Sequence, residues 1–323
     1  MGSKINYKLD FLDLKILSLI DQNARDNISN IAKKIKTSQQ VISYRLQNLE
    51  NLGIIESYIS CIDYAALGNT VYKIHIKLNA TKEDIKKIIN YLRSKNQTIK
   101  IIEIYSSFWD LMIKFSTNKL SDLYLFTTDI KKQFSEKIIN IDHFIVYEKI
   151  SFSRDYLTEK YRRLNNKVEY KYYDLKHEKI NQFDEKILFE IKNNARISSV
   201  YLAKAINSTP NTVLTRLKQL GTNGIIKSYR PVIDFKKLPY SPYKLLLKIN
   251  QERTKKEEEL IKFLENNINI INILKLIGNW DLEIDFEVYS KEEIFNFINL
   301  LKANFFDIIK DTNLIDVSKE YYC

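Results

Sequence analysis

Apolar residues near the start of the chain recur every three or four positions, which is the spacing of one face of a helix. Breaks at Asn23–Arg25 and Thr37–Ser38 divide this pattern into three short helices. Two short helices separated by a tight turn predict a helix-turn-helix. Gly53 can end the third helix, and the extended run 54–59 predicts a wing strand after it. The apolar positions of the helices are Leu9, Leu12, Ile16, Leu19 and Ile20, then Ile31, Ala32 and Ile35, then Ile42, Leu46 and Leu49.

Residues 71–78 alternate between polar and apolar side chains, which predicts a half-buried strand. After it the patterns predict a helix, two strands, a second helix and a last strand. This β-α-β-β-α-β order is the ferredoxin-like arrangement. The helices are expected near residues 83–95 and 120–134, and the strands near residues 71–78, 99–105, 109–115 and 138–150.

The whole succession of patterns occurs twice, and the second copy follows the first at an offset of 171 residues without a gap. Repetition at a fixed offset indicates two copies of one structural unit. The tripeptides that recur include Asn23-Ala24-Arg25 as Asn194-Ala195-Arg196, Gly53-Ile54-Ile55 as Gly224-Ile225-Ile226, and Trp109-Asp110-Leu111 as Trp280-Asp281-Leu282.

The predicted fold class is therefore α+β, with two winged helix-turn-helix heads, each followed by a ferredoxin-like βαββαβ body. Because the two bodies carry matching apolar faces, we expect them to pair within the chain as a pseudo-dimer. Further association between whole chains stays open. The expected domains are the first head, 1–62; the first body, 63–152; a partly helical linker, 153–178; the second head, 179–233; and the second body, 234–323.

Composition narrows the functional classes. The formal net charge of +11 favours a polyanionic partner. Residues 177–230 in the second head carry nine basic and four acidic residues, against seven and six in residues 6–59. Six glycines leave no glycine-rich phosphate loop, and two cysteines give neither a disulfide framework nor a four-cysteine zinc site. No apolar run approaches the ~18 residues of a membrane span, so a cytoplasmic protein without membrane contact is expected.

The chain resembles the Lrp/AsnC family of transcription regulators, and the resemblance covers both units. The family members usually carry one copy and associate as dimers, so the tandem duplication is a departure. The resemblance implies a sequence-specific regulator whose partner is double-stranded DNA. The residues that carry it are Leu12-Asp13-x-Lys15-Ile16-Leu17, Asn23-Ala24-Arg25, Ile31-Ala32-Lys33, Arg45-Leu46-x-x-Leu49 and Gly53-Ile54-Ile55, with their equivalents in the second copy.

In a helix-turn-helix the second helix enters the major groove, where exposed polar side chains meet base edges and phosphates. Arg45 and Arg216 occupy equivalent positions, and each can bind a phosphate or form an ion pair with Asp13 or Asp184 of its own first helix. Lys33, Lys34 and Lys36 are further phosphate candidates. The predicted DNA-binding residues are Ser38, Gln39, Gln40, Ser43, Tyr44, Arg45 and Gln47 in the first head, and Thr209, Pro210, Asn211, Thr212, Thr215, Arg216 and Lys218 in the second.

The resemblance also implies a small effector, such as an amino acid, near a Gly-x-x-Asp turn between the second and third body strands. The second copy keeps this turn as Gly278-Asn279-Trp280-Asp281, whereas the first copy reads Ser107-Phe108-Trp109-Asp110. Serine resists the backbone conformations that glycine allows. Both tryptophans are expected in a core. The predicted effector residues are Gly278, Trp280, Asp281 and Asp110.

Two other functions stay open. Siroheme decarboxylases share the head-plus-body architecture and resemble each other in a His-Asn-Tyr-type stretch before the third body strand, which this chain lacks. It has Tyr105-Ser106-Ser107 and Leu276-Ile277-Gly278 there. The second is a protein adaptor with degenerate heads, which the small charge of the first head favours. We expect no enzyme activity, no catalytic residues, no cofactor and no metal, because the three histidines are scattered without ligand spacing.

Overall fold

The computed structural model describes residues 9–158, 167–250 and 254–323. Its first half begins with three helices and a strand and continues as the first body. These elements are α1 (Phe11–Gln22), α2 (Ile28–Ile35), α3 (Gln39–Asn51), β1 (Ile55–Ile62), β2 (Thr70–Leu78), α4 (Lys82–Arg93), β3 (Thr98–Tyr105), β4 (Leu111–Thr117), α5 (Leu120–Gln133) and β5 (Ile138–Ser151). A short strand, β6 (Val168–Lys171), separates the halves.

The second half repeats this order, which confirms the predicted class of two helix-turn-helix heads, each followed by a βαββαβ body. Its elements are α6 (Gln182–Ile191), α7 (Ser199–Ala205), α8 (Pro210–Thr222), β7 (Ile226–Ile233), β8 (Ser241–Ile249), α9 (Thr254–Glu265), β9 (Ile270–Ile277), β10 (Leu282–Val288), α10 (Lys291–Phe305) and β11 (Ile309–Tyr322). Within the described residues, no helix is both long and apolar enough to span a membrane.

The first helix of each head begins with a capping box, in which two side chains bind each other's backbone amides. In α1 the Asp10 carboxylate accepts from the amide of Asp13, and the Asp13 carboxylate accepts from the amide of Asp10. Asn181 and Asp184 do the same at α6. The repeated aspartate therefore marks a helix start that both heads share.

The wing strand of each head pairs with the wing strand of the other head. β1 and β7 form an antiparallel two-stranded sheet. The repeated Asn-Ala-Arg tripeptides stabilise the same junction between the heads. The Ala24 amide donates to the Tyr229 carbonyl, and the Ala195 amide donates to the Tyr58 carbonyl, each at 2.8 Å. The wing is thus a joint between the heads rather than a free hairpin.

The two bodies share one closed sheet. The strands of the first body lie in the order β5-β2-β4-β3, and those of the second lie in the order β11-β8-β10-β9. Residues 145–151 of β5 extend onto β9, and residues 316–322 of β11 extend onto β3. Eight strands therefore close on themselves, which removes the exposed edges.

The prediction of a half-buried strand at residues 71–78 is wrong, because β2 is buried on both faces. Ile74 and Ile76 pack in the core that α4 and α5 cover. Lys73 and His75, which alternation would place in solvent, are 4% and 0% exposed. Lys73 binds Glu283 of the second body, and His75 packs against the rings of Trp109 and Phe144. Pairing of the bodies covers the polar face, and a pattern within one copy gives no sign of that.

The predicted partly helical linker also differs. Asp155–Leu157 forms one 3-10 turn, while Val168–Lys171 is the strand β6, which pairs with the end of β5. Residues 159–166 lie outside the described part of the chain. Tyr170 and Tyr172, on β6 and just after it, are each 3% exposed and pack in the core between the bodies. This segment therefore adds core residues that belong to neither repeat.

Candidate nucleic-acid interface

The helices α3 and α8 each begin at a hydroxyl cap and bury one apolar stripe in their own head. The Ser38 hydroxyl accepts from the amide of Val41, and the Thr209 hydroxyl accepts from the amide of Thr212. Pro210 occupies the first turn of α8, where its missing N–H leaves no backbone hydrogen bond unmade. The buried stripes are Ile42, Leu46 and Leu49 in α3, and Val213, Leu217 and Leu220 in α8.

Twelve of the fourteen predicted DNA-binding side chains are exposed on the faces opposite these stripes. Such a face can approach a duplex without unfolding any part of the head. The exposed residues are Ser38, Gln39, Gln40, Ser43, Tyr44 and Gln47 in the first head, and Thr209, Pro210, Asn211, Thr212, Thr215 and Lys218 in the second.

The two arginines differ from the other twelve because they are only partly exposed and bind carboxylates. Arg45 Nη1 lies 2.8 Å from Asp10 Oδ2 and 3.3 Å from Asp13 Oδ1. Arg216 Nη1 lies 3.8 Å from Asp184 Oδ2. Of the two roles that the sequence left open, the structure contains the ion pair with the first helix. Arg45 therefore ties α3 to α1.

The lysines beside the turn also differ between the heads. Lys34 Nζ lies 2.8 Å from Asp26 Oδ2, so part of its charge is neutralised. Lys33 and Lys36 in the first head, and Lys204 and Lys218 in the second, are exposed and have no carboxylate within ion-pair distance among the described residues. The greater positive charge of the second head therefore comes from its whole composition and not from the lysines at the turn alone.

The predicted effector residues lie in two equivalent turns, one in each body. The Asp110 carboxylate accepts from the amide of Leu78 at 2.7 Å, and the Asp281 carboxylate accepts from the amide of Ile249 at 2.8 Å. Both carboxylates therefore cap the end of the first strand of their body. Trp109 and Trp280 of the two turns pack on the same core, and effector binding at these turns stays a prediction.

Gly278 is needed in the second turn because the first body packs against it. A Cβ atom at this position would lie 2.6 Å from the Phe144 ring. The residue equivalent to Phe144 in the second copy is Ile315. Trp109 is 4% exposed and donates its ring N–H to Asp142 at 2.6 Å, and Trp280 packs at the edge of the same core. The expected core role of the tryptophans agrees with this packing.

A cluster of buried charges between the bodies was missed by the sequence patterns. Glu283 on β10 is fully buried and forms ion pairs with Lys73 of the first body and Lys244 of the second. Burial alone would raise the pKa of the Glu283 carboxyl, but the two ammonium groups lower it to about 2. One sequence feature could have indicated this cluster, namely the acidic residues at every second position of β10.

A second network joins the first head to the second body. The guanidinium of Arg154 binds Asp21 of α1 at 2.5 Å and Glu287 of β10 at 2.8 Å. Arg230 of β7 binds the same Asp21 at 2.6 Å. Burial opposes ionisation of Asp21, but the two guanidinium groups hold its pKa below the usual value. The network therefore links both heads and one body through buried charges.

A cavity of about 190 Å³ lies between the bodies and the wing strands, next to both charge clusters. We call it the inter-body cavity. In the described part of the chain, no three His, Cys, Asp or Glu side chains come close enough together to hold a metal ion. The basic side chains that line the cavity are Lys73, Lys100, Lys114, Lys149, Arg154, Lys192, Arg230 and Lys244, and the acidic ones are Glu283, Asp285, Glu287 and Glu320.

Comparison with known proteins gives matches to parts of the chain and to nearly its whole length. A family model described as winged helix-turn-helix DNA-binding matches residues 9–56 and 180–227. The HTH-type transcriptional regulator FL11 of Pyrococcus horikoshii is 23% identical over 122 residues, which cover 38% of this chain and 80% of that protein. Regulatory protein AsnC of Haemophilus influenzae is 26% identical over 136 residues, covering 42% of this chain and 89% of that protein.

Among solved structures, that of the siroheme decarboxylase NirDL matches 96% of this chain and 92% of its own, with a TM-score of 0.60. The sequence identity is 12%, so this likeness shows the fold alone. It extends over both heads and both bodies, whereas each regulator covers the length of about one half.

Proposed function

Because the chain belongs to the Lrp/AsnC family, with one winged helix-turn-helix in each half, we propose that it is a transcription regulator that binds double-stranded DNA with sequence specificity. The observation that carries this proposal is the pair of exposed polar faces on α3 and α8. Each face belongs to the helix that enters the major groove in a helix-turn-helix protein.

We further propose that the two halves act together as the two subunits of a dimer would. The pairing of β1 with β7 and the closed eight-stranded sheet support this proposal, because they join heads to heads and bodies to bodies inside one chain. The recognition faces differ in sequence, with Gln40 and Tyr44 in one head where the other has Asn211 and Thr215. The preferred DNA site should therefore be asymmetric.

A siroheme decarboxylase is the second candidate, because the whole-chain fold likeness is to such an enzyme. Two observations weigh against it. The chain has Tyr105-Ser106-Ser107 and Leu276-Ile277-Gly278 at the stretches where those enzymes resemble each other. The inter-body cavity of about 190 Å³ is also below the ~300 Å³ at the small end of ordinary ligand pockets, and a tetrapyrrole needs more. Absorbance titration with an iron porphyrin tests this candidate.

Fluorescence anisotropy with random-sequence duplex DNA at several salt concentrations tests the proposed function. The Lys204→Ala/Lys218→Ala variant should weaken binding to all sequences, and should flatten the plot of log K against log[salt] by up to about two units, because two phosphate contacts are lost. Lys33→Ala/Lys34→Ala should do less, since Lys34 already binds Asp26.

Lys302→Ala, an exposed lysine on α10 of the second body, is the matched control and should leave the slope unchanged. If the unmodified protein shows no measurable duplex binding at low salt, the regulator proposal fails and the adaptor role replaces it. An unchanged slope in the Lys204→Ala/Lys218→Ala variant, with weaker binding to one sequence alone, would mean that these lysines read bases or hold the fold.

A further inference from the structure

The inter-body cavity is asymmetric, because its two halves carry different charges at equivalent strand positions. In the first body Lys114 on β4 lies opposite Lys73 on β2 and opposite Lys100 on β3. In the second body Asp285 on β10 lies opposite Lys244 on β8 and opposite Asn272 on β9. Like charges directly opposite each other in a sheet repel, so the row of three lysines is unfavourable unless anions offset it.

Carboxylates offset only part of this row. Lys73 binds Glu283, and Lys100 Nζ lies 2.6 Å from Glu320 Oε1. Among the described residues, Lys114 and Lys149 have no carboxylate within ion-pair distance. Their ammonium groups face tyrosine rings instead, with Lys114 Nζ 5.8 Å from the Tyr172 ring centroid and Lys149 Nζ 5.1 Å from the Tyr170 centroid. An aromatic face compensates a buried charge only partly.

The position equivalent to Lys149 in the second copy is Glu320, the partner of Lys100. The first half of the chain therefore places lysines at 114 and 149 where the second half places carboxylates at 285 and 320. Because of this difference between the copies, one end of the cavity has two ammonium groups without carboxylate partners. At the other end the basic and acidic side chains neutralise each other.

An orphaned hydroxyl lies at the same end. Tyr172 is 3% exposed and lines the cavity, and its hydroxyl has no hydrogen-bond partner among the described residues. A buried hydroxyl left without a partner is unfavourable, because it loses its hydrogen bonds to water and gains none in return. Tyr172 belongs to the segment between the repeats.

We propose that this end of the inter-body cavity binds a small organic carboxylate, whose oxygens accept hydrogen bonds from Lys114, Lys149 and Tyr172. A carboxylate would neutralise the two ammonium groups and satisfy the hydroxyl at once. Charge-assisted hydrogen bonds of this kind are shorter and stronger than neutral ones. The proposal does not rest on DNA binding, and the turns at Asp110 and Asp281 do not line the cavity.

The charges of the cavity also exclude one class of carboxylate. A free amino acid carries an ammonium group that needs an acidic partner. The carboxylates of the cavity are already engaged, Glu283 and Asp285 with Lys244, Glu287 with Arg154, and Glu320 with Lys100. The site should therefore prefer keto or simple acids over the amino acids of the same carbon skeleton. The volume of about 190 Å³ limits the ligand to a small molecule.

Protonation of the two lysines should accompany binding. Burial, with the charge of Lys149 nearby, lowers the pKa of Lys114 to about 7, and burial lowers that of Lys149 to about 8. A bound carboxylate favours the ammonium form, so protons should be taken up, and affinity should fall as pH rises from 7 to 9. The other titratable groups around the two lysines are Cys61 on β1, Tyr64 after it, Lys73 on β2, Lys100 on β3, Tyr170 and Tyr172 at β6, Arg230 on β7 and Asp285 on β10.

Isothermal titration calorimetry of the full chain, without DNA, tests the proposal with matched pairs of acids. The pairs are 2-oxoglutarate with L-glutamate and 4-methyl-2-oxopentanoate with L-leucine, accompanied by succinate, acetate and inorganic phosphate. We expect at least one keto or simple acid to bind, its amino counterpart to bind at least tenfold more weakly, and protons to be taken up in buffers of different ionisation enthalpy.

Three variants show where the acid binds. Lys114→Met should lower affinity about tenfold or more, and Tyr172→Phe about threefold to tenfold, since each removes one hydrogen bond to a charged group. Lys171→Met, an exposed lysine on β6, is the control and should bind as the unmodified chain does. Thermal unfolding checks that each variant is folded.

The proposal is overturned if no carboxylate gives a binding heat beyond that of a salt at equal ionic strength. A folded Lys114→Met variant with unchanged affinity, or binding of phosphate alone, overturns it as well. Equal binding of keto and amino acids overturns the preference argued from the engaged carboxylates.

Discussion

The strands β4 and β10 occupy equivalent places in the two bodies, but they carry different charges toward the space between them. On β10 each inward carboxylate has a basic partner from another element. On β4 the only charge is a lysine without such a partner among the described residues. The inward positions are Glu283, Asp285 and Glu287 on β10, and Met112, Lys114 and Ser116 on β4.

Two identical chains could not produce this arrangement, because identical third strands would supply carboxylates from both bodies or from neither. Within one chain the halves share the apolar pattern that sets the fold, while the charges in their common interior differ. The repeat therefore specifies the architecture, and the departures from the repeat mark the chemistry.

The largest expected effect comes from making β10 resemble β4. Glu283→Met should lower the free energy of unfolding by about 3–5 kcal/mol, because Lys73 is left buried without its carboxylate. Chemical denaturation measures the change. Met112→Leu, a substitution of similar volume at the equivalent position, is the control and should cost below about 1.5 kcal/mol. Equal losses in the two variants would mean that packing, rather than charge, sets the difference between the strands.

A smaller and symmetric effect is expected where the halves are alike. The guanidinium of Arg25 donates to the Ala195 carbonyl, and that of Arg196 donates to the Ala24 carbonyl, each at 2.5 Å. Arg25→Ala and Arg196→Ala should each cost about 1.5–3 kcal/mol, because each removes a charged hydrogen bond between the heads. Thermal unfolding of the two variants should give matching shifts. A large shift in one variant alone would show that the head junction is as asymmetric as the cavity.

Much of the fold was predictable because it depends on periodicity. Helical spacing of Ile42, Leu46 and Leu49, and its repetition at Val213, predicted the heads, and the exposed face of α3 follows from the same spacing. The ion pair of Arg45 with Asp13 was one of two roles that the sequence could not separate, since the choice depends on how α1 packs on α3.

The interior charges were not predictable, because they depend on which strands meet across the two bodies. Lys73 and Glu283 lie 210 residues apart in sequence and meet only when β2 and β10 face each other. The alternating pattern correctly predicted that Lys73 and Ile74 point to opposite faces of the strand. It wrongly predicted that Lys73 is exposed to solvent. Tyr172 carried no periodic signal at all, because it lies outside both repeats.

The smallest expected change in stability has the opposite sign. Lys114→Met should raise the free energy of unfolding at pH 6 by about 1–2 kcal/mol, since it removes a partly buried charge that lacks a carboxylate partner among the described residues. The pKa of Lys114, lowered to about 7 by burial, lies below that of an unfolded lysine. The unfolded chain therefore binds more protons between pH 7 and about 10.5, and stability should rise with pH across that window.

Chemical denaturation at pH 6, 8 and 10 should show this rise in the unmodified chain and a smaller one in Lys114→Met. The two curves should converge near pH 10. A variant that is less stable than the unmodified chain at pH 6 would mean that Lys114 has an anionic partner in the folded protein.

Selection of bound sequences from random duplex DNA determines whether the two unlike halves act together as one DNA-binding unit. We expect one enriched site with two different half-sites, and a Gln40→Ala variant that loses sequence preference in one half-site only. A palindromic site, or a Gln40→Ala variant that loses preference in both half-sites equally, would contradict this expectation.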